Sequence, residues 1–415
     1  MGSKRRQTLL VAGLMGLLLL VFAGLVWANT YLTSRLPGGE NFLVPWMGAR
    51  GFLNGSGPYS SGIAQSLQTL IYGQKAAPGA YPYFVDYPFQ ILLFFLPFGW
   101  IQNFVLARAV WMAGLELALI ILMLLNFRLV GWQLQPLMFG VVLLFSFFSF
   151  YSVFPVLQSE VTIWLAVLFA VALLALRSGL DELAGALLVL TAYQWEITGL
   201  FLLFVFVWTV SHRRWRVWSA FLMTLLVLLA IAFILYPGWF LPYLRAVLAN
   251  LRVVHGFSPS DYFIQHWPAI GANLGWGLTL VLGIILFLEW RAARGTGFRH
   301  FLWVACLTLA ATPLLGFRSG PANFSVLFLP LMLVLQIIDQ RWNRIGRLTS
   351  IAVLISIFGV WYLYWKALES GVSNPEFSTY LFLPVFLFVA LYWLRWWAIQ
   401  PPRVWYDSVK EMQGS

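Results

Sequence analysis

The chain has 415 residues, 61% of them hydrophobic, 18% aromatic and only 9% charged. That composition, with a mean hydropathy of +0.84, excludes a soluble globular protein, whose surface must be polar enough to meet water. The net charge of +11 does not point to nucleic acid, because the basic residues sit mostly in short loops between apolar runs, as they do on the cytoplasmic side of membrane proteins.

The first apolar run, about Leu9 to Ala28, follows Lys4, Arg5 and Arg6. Val26-Trp27-Ala28 looks like a cleavage site, but the stretch exceeds the roughly 7–15 apolar residues of a signal peptide, so a retained helix is expected. Next comes LPGGENFLVPWMGARGFLNGSGPYS, Leu36 to Ser60, opening a large loop over about residues 30–103. Its amphipathic and apolar pieces are expected to lie along the membrane interface. Tyr87 to Ile101 is apolar too, but it contains Pro88 and Pro97 and is read as interfacial. Crossings are predicted near 8–29, 104–127, 135–155, 160–177, 183–194, 197–211, 217–236, 270–290, 301–317, 323–339, 348–366 and 378–397. The expectation is an all-α polytopic membrane protein with about 12 crossings (11–13), forming one transmembrane domain over residues 1–415. A second large loop, about 237–268, carries Tyr243, Arg245, Arg252, His255, Asp261, Tyr262 and His266.

Charge sets the expected orientation. With Tyr87–Ile101 not crossing, seventeen basic residues fall on one side and seven on the other, although the second side has the longer loops. The positive-inside rule then puts both termini in the cytoplasm and the two large loops outside a cell membrane. The inner loops hold no P-loop and no Gly-rich dinucleotide turn. Cys306 is the one cysteine, which excludes disulfides and thiolate metal sites. The spacing of His255 and His266 matches no zinc motif.

Residues able to carry chemistry gather on the expected outer side. They are Glu40, Asp86, Gln158, Glu160, Glu196, His255 and His266, with Arg50, Arg108 and Arg318 as cations. Carboxylates at a membrane boundary are costly and mark candidate sites. A carboxylate can deprotonate a hydroxyl, and Arg can hold two phosphate oxygens at once. Plainer roles stand beside these: Glu40 as a solvated loop acid, Asp86 as a helix cap, the arginines reaching lipid headgroups.

The order of GGENF, ARGFLNGSGPYS, YPYFVDYPFQILLFFLPFGW, LQSEVTIWLAVLFAVALLALRSG and AGALLVLTAYQWEITGLFLLF resembles glycosyltransferase family 87, within the GT-C superfamily of membrane transferases. The likeness covers most of residues 1–215, and Thr312-Pro313 with Pro330 resembles a later segment of the family. It implies transfer of a sugar, mannose by default, from a polyprenyl-phosphate donor to an extracytoplasmic lipid or glycan acceptor of the cell envelope. Inversion at the anomeric carbon is implied, with Glu40 as general base and no cofactor or metal. Arg318, Arg108 and Arg50, in that order, become candidate ligands of the donor phosphate. Asp86, Gln158, Glu160, Glu196, His255 and His266 become candidates for sugar or acceptor. The sequence departs from the family in four places. Glu40 stands where the family has Asp, and Phe89 replaces the second Pro of Tyr-Pro-Pro. Ser159-Glu160 or Gln158-Ser159 replaces Gly-Gln, and Glu196-Ile197 replaces Lys-Pro. Two other readings use the same residues: a transporter or flippase for a lipid-linked sugar, and a catalytically decayed scaffold.

Overall fold

The computed structural model describes residues 2–36, 38–253, 256–372 and 374–400. Among these residues the structure is a set of helices joined by turns and loops, with one isolated antiparallel bridge between Phe257 and Ser319. Among the described residues, seven helices are long and apolar enough to cross a bilayer: Ala12–Thr33, Phe104–Val130, Pro136–Leu157, Trp215–Leu235, Gly271–Ala293, Phe298–Leu315 and Pro321–Glu369. The last is 49 residues long and takes in two predicted crossings, 323–339 and 348–366. It breaks at Asn343, whose φ of 47° and ψ of −114° are not helical.

Other expected crossings form shorter helices. Thr162–Arg177 has 16 residues and Trp195–Ser211 has 17; each reaches roughly 25 Å at about 1.5 Å per residue, short of a hydrocarbon core about 30 Å thick. The predicted crossing 183–194 is a helix only from Asp181 to Val189, nine residues, about 14 Å. Its end unwinds through turns at Leu190–Tyr193 before the next helix begins at Trp195. Tyr87–Ile101 is broken into Phe89–Leu92, a 3₁₀ turn over Leu93–Phe95, and Leu96–Gly99. That segment is too short to span.

The chain packs as two compact units. Unit 1 comprises Met1–Leu119, Phe154–Trp164 and Leu228–Val254. It contains α1 (Gly2–Thr33), α2 (Glu40–Leu53), α3 (Ser61–Tyr72) and the first half of α4 (Phe104–Val130). Only 6% of the α1 span is buried, and Asn29 near its end donates to both carboxylate oxygens of Glu116 in α4 at 3.2 Å. The core of the unit is aromatic. Phe42, fully buried in α2, meets Phe95, Phe98, Phe104 and Trp111 at ring distances of 5.3–6.3 Å. Such pairs add to the burial of their surface. Pro45 lies inside α2 and leaves the carbonyl of Asn41 without its helical donor; the Tyr87 hydroxyl reaches it at 3.4 Å.

Unit 2 comprises Ile120–Val153, Leu165–Val227 and His255–Ser415. At its centre lies Phe298–Ala311, buried from Phe301 onward. Trp303 donates to the carbonyl of Leu391 at 3.0 Å. Glu289, at the end of the Gly271–Ala293 helix, takes bonds from both arms of Arg395 at 3.1 and 3.0 Å and from the Tyr392 hydroxyl at 2.9 Å.

Candidate active site

Glu40 is the first residue of α2, where a negative charge suits the positive end of the helix dipole. The two residues before it, Gly38 and Gly39, sit at φ +109° and +83°, a region open mainly to glycine. The bend brings the backbone flat against Arg108. A Cβ on Gly39 would lie 2.3 Å from Nε of Arg108, and one on Gly38 would lie 3.2 Å from Oε1 of Gln158.

Arg108 is only 3% exposed. It donates to the carbonyls of Leu36 at 3.2 Å and Leu157 at 2.6 Å, and to Oγ of Ser159 at 3.3 Å. Sequence suggests a phosphate ligand at the outer end of a helix; the structure has a guanidinium occupied by loop carbonyls, fastening GGEN to LQSE. A buried loop must find partners for its backbone groups, and Arg108 supplies them. Asn41 adds a second tie, donating to Glu160 at 2.5 Å, while Thr162 donates to the other oxygen of Glu160 at 3.0 Å. Glu160 is buried and bonded on both oxygens.

Ser159 adopts φ +57°, which a residue with a Cβ enters at a cost of about 1–2 kcal/mol. Trp111 donates to its carbonyl at 3.0 Å. Of the two alignments that sequence allows, Ser159-Glu160 over the family's Gly-Gln is the one that puts a glycine-favouring backbone where the family has glycine.

The half-buried Glu40 carboxylate accepts a hydrogen bond from the Tyr83 hydroxyl. With Arg50 it lines a cavity of about 580 Å³ within unit 1, whose apolar walls include Leu43, Trp46, Met47, Ile63 and Phe104. Ten residues of α2 separate the two backbone positions, about 15 Å along the axis, a gap that the two side chains shorten or lengthen by their reach. Arg50 donates to the carbonyl of Gln102 at 2.7 Å and lies over the Trp46 ring at 4.8 Å. The cavity is therefore acidic at one end of α2, basic at the other and greasy between.

Asp86 does not line that cavity. Its carboxylate takes a 2.9 Å bond from Asn250, which also donates to the Phe84 carbonyl at 2.9 Å and accepts from the Phe84 amide at 3.2 Å. Burial pushes the Asp86 carboxyl above its usual range, and the bonds from Asn250 and Tyr81 oppose that rise.

The remaining candidates belong to unit 2. Arg318 donates to the carbonyl of Gly256 at 3.1 Å and pairs with both oxygens of Asp261 at 3.2 and 3.3 Å. Glu196 opens the Trp195–Ser211 helix and borders a cavity of about 10 Å³ with Thr312, Ser319 and Asn323, room for about one water. His266 is exposed, donating through Nδ1 to the carbonyl of Tyr262 at 2.9 Å. His255 lies outside the described residues. Among the described residues no cluster of three or more His, Cys, Asp or Glu could hold a metal.

Sequence reasoning missed Tyr83, Asn41 and Asn250. They reach their partners across 43, 119 and 166 residues, so no local spacing reveals them. The one signal was the density of tyrosines in YPYFVDY.

No curated protein and no solved structure matches the chain. The sequence profile of glycosyltransferase family 87 does, over residues 84–313. That span includes Asp86, Arg108, Gln158, Glu160, Glu196 and His266; Glu40 and Arg50 precede it and Arg318 follows it. With more than half of its length matched, and with helices that suit a bilayer, the chain belongs to glycosyltransferase family 87 and is a membrane glycosyltransferase.

Proposed function

We propose that the chain transfers a sugar, mannose by family default, from a polyprenyl-phosphate donor to a lipid or glycan hydroxyl on the extracytoplasmic side of the cell membrane, with both chain termini in the cytoplasm. One observation carries this reading: Glu40 and Arg50 line a single cavity whose other walls are mostly apolar. The lipid chain runs along those walls and its phosphate meets Arg50. The acceptor hydroxyl attacks the anomeric carbon from the face opposite the phosphate, and its proton passes to the Glu40 carboxylate. The carbon–oxygen bond to phosphate breaks with its electron pair on the leaving lipid phosphate, where Arg50 balances the charge. The attack inverts the anomeric carbon. Arg318, the first choice from sequence, is half-exposed and paired with Asp261, and Arg108 is bonded to loop carbonyls, so Arg50 is the better phosphate ligand. Glu160, braced by Asn41 and Thr162, supports the backbone around Glu40. Asp86, Gln158, Glu196, His255 and His266 remain candidates for contacts with sugar or acceptor.

The test is release of lipid phosphate by protein in lipid nanodiscs, offered a panel of polyprenyl-phosphate hexoses with mannose first. Glu40→Gln keeps shape and hydrogen bonding but loses basicity, so turnover should fall about 10²–10⁴-fold while donor binding persists. Glu40→Asp should retain activity. Wild-type turnover in Glu40→Gln would remove the base from this mechanism.

A further inference from the structure

Tyr83 stands out for its backbone. It holds φ +47°, unusual for any residue with a Cβ and a true outlier for a bulky one. Strain of this kind costs about 1–3 kcal/mol and persists only where the surroundings over-determine it. Here they do. On its C-terminal side, Asn250 grips both the amide and the carbonyl of Phe84 and the carboxylate of Asp86. The Tyr83 ring meets Tyr72 at 5.6 Å and Tyr81 at 4.9 Å, both edge-on. Tyr72 and Gln68 of α3 tie down the same strap from its other end, through bonds to the carbonyls of Tyr81 and Pro82 at 2.9 and 2.7 Å. The outcome of all these restraints is one contact: the Tyr83 hydroxyl donating to Oε2 of Glu40.

We propose that Tyr83 is a positioning residue for Glu40, holding one carboxylate oxygen so that the other faces the cavity as the proton acceptor. This deepens the reading of Glu40 as base and rests on it. Tyr83 does not line the cavity and need not touch substrate. Burial, and after it the bond to Glu40, push the Tyr83 phenol well above its usual pKa, so it remains a donor through the physiological range.

The experiment is a double-mutant cycle on Tyr83→Phe and Glu40→Gln, assayed with polyprenyl-phosphate mannose in nanodiscs. Tyr83→Phe keeps the ring packing, so thermal stability and donor KM should be close to wild type while kcat falls about tenfold or more. Added to Glu40→Gln, it should lower kcat no further, because there is no longer a base to aim. A full, additive loss in the double variant, or wild-type kcat in Tyr83→Phe while Glu40→Gln is impaired, overturns the positioning role and leaves the base intact. Unchanged turnover in Glu40→Gln alone overturns the base instead. A second measurement needs no turnover: carbodiimide labelling of Glu40, read by peptide mass spectrometry, should speed up severalfold in Tyr83→Phe. An unchanged labelling rate also overturns the proposal.

Discussion

Replacing Gly39 by Ala tests the join between GGEN and Arg108. Two effects add. The first is conformational: at φ +83° a Cβ costs about 1–2 kcal/mol. The second is steric: the new methyl would stand 2.3 Å from Nε, 2.7 Å from Cδ and 2.9 Å from Cζ of Arg108. A free arginine would swing aside at little cost. This one is held by Leu36, Leu157 and Ser159, and hydrogen bonds from a charged group are worth about 1.5–3 kcal/mol each. Loss of even one brings the total to about 2.5–5 kcal/mol. Glu40, the proposed base, is the next residue, and in that role a shift of about 1 Å would lower turnover on the order of 10²-fold. The assay pairs thermal unfolding in nanodiscs with release of lipid phosphate. Gly24→Ala in α1 is the control, since nothing lies within 4 Å of its Cβ position. If Gly39→Ala melts like Gly24→Ala, Arg108 is not pinned as described.

Ser159→Gly relieves about 1–2 kcal/mol at φ +57° but gives up an Arg108 bond worth about 1.5–3 kcal/mol, so it should lie between neutral and about 2 kcal/mol destabilising; a gain of more than about 1 kcal/mol on unfolding would contradict this. Asp86 has a folded-state pKa raised by burial, so the native state binds its proton more tightly and loses stability as pH rises from the unfolded carboxyl value through the folded one. Asp86→Asn removes that loss, and its melting temperature relative to wild type should therefore climb from acid pH toward neutral; a difference that is flat with pH would reject the shift. Cysteines placed at Gly73 and Gln102 should label from the same side of the membrane, and labelling from opposite sides would show that Phe89–Gly99 crosses after all.

What sequence could show of this protein follows from the range of the forces involved. Apolar runs and loop charge are local, so the helical membrane class was visible, as was a break at Pro88 and Pro97. Glu40 was visible because a lone acid beside an apolar run is rare. The lengths of the helices at 162–177, 181–189 and 195–211 were not, since a hydropathy pattern does not say where backbone bonding stops inside an apolar stretch. The partners of Arg108 were hidden for a related reason. From sequence it is a cation at a helix end; the carbonyls it serves belong to two loops, one of them about 50 residues away. Ser159 hid a glycine-like backbone behind an ordinary side chain.

Unit 1 is discontinuous, and its last piece arrives late in synthesis. Asn250 must close on Phe84 across 166 residues, and loop closure grows costlier, though slowly, with length. A nascent chain grows from its N-terminus, so Glu40 and Tyr83 emerge long before the clamp that holds their strap exists. Two segments of unit 2, Ile120–Val153 and Leu165–Val227, must be made first. Until residue 250 follows them, the Tyr83 strap lacks its bonds from Asn250 to Phe84 and Asp86. On the proposed roles of Tyr83 and Glu40, alignment of the base is one of the later steps of biogenesis, and a ribosome stalled before Asn250 would hold a chain with every residue of the cavity present and the strap still without its Asn250 bonds.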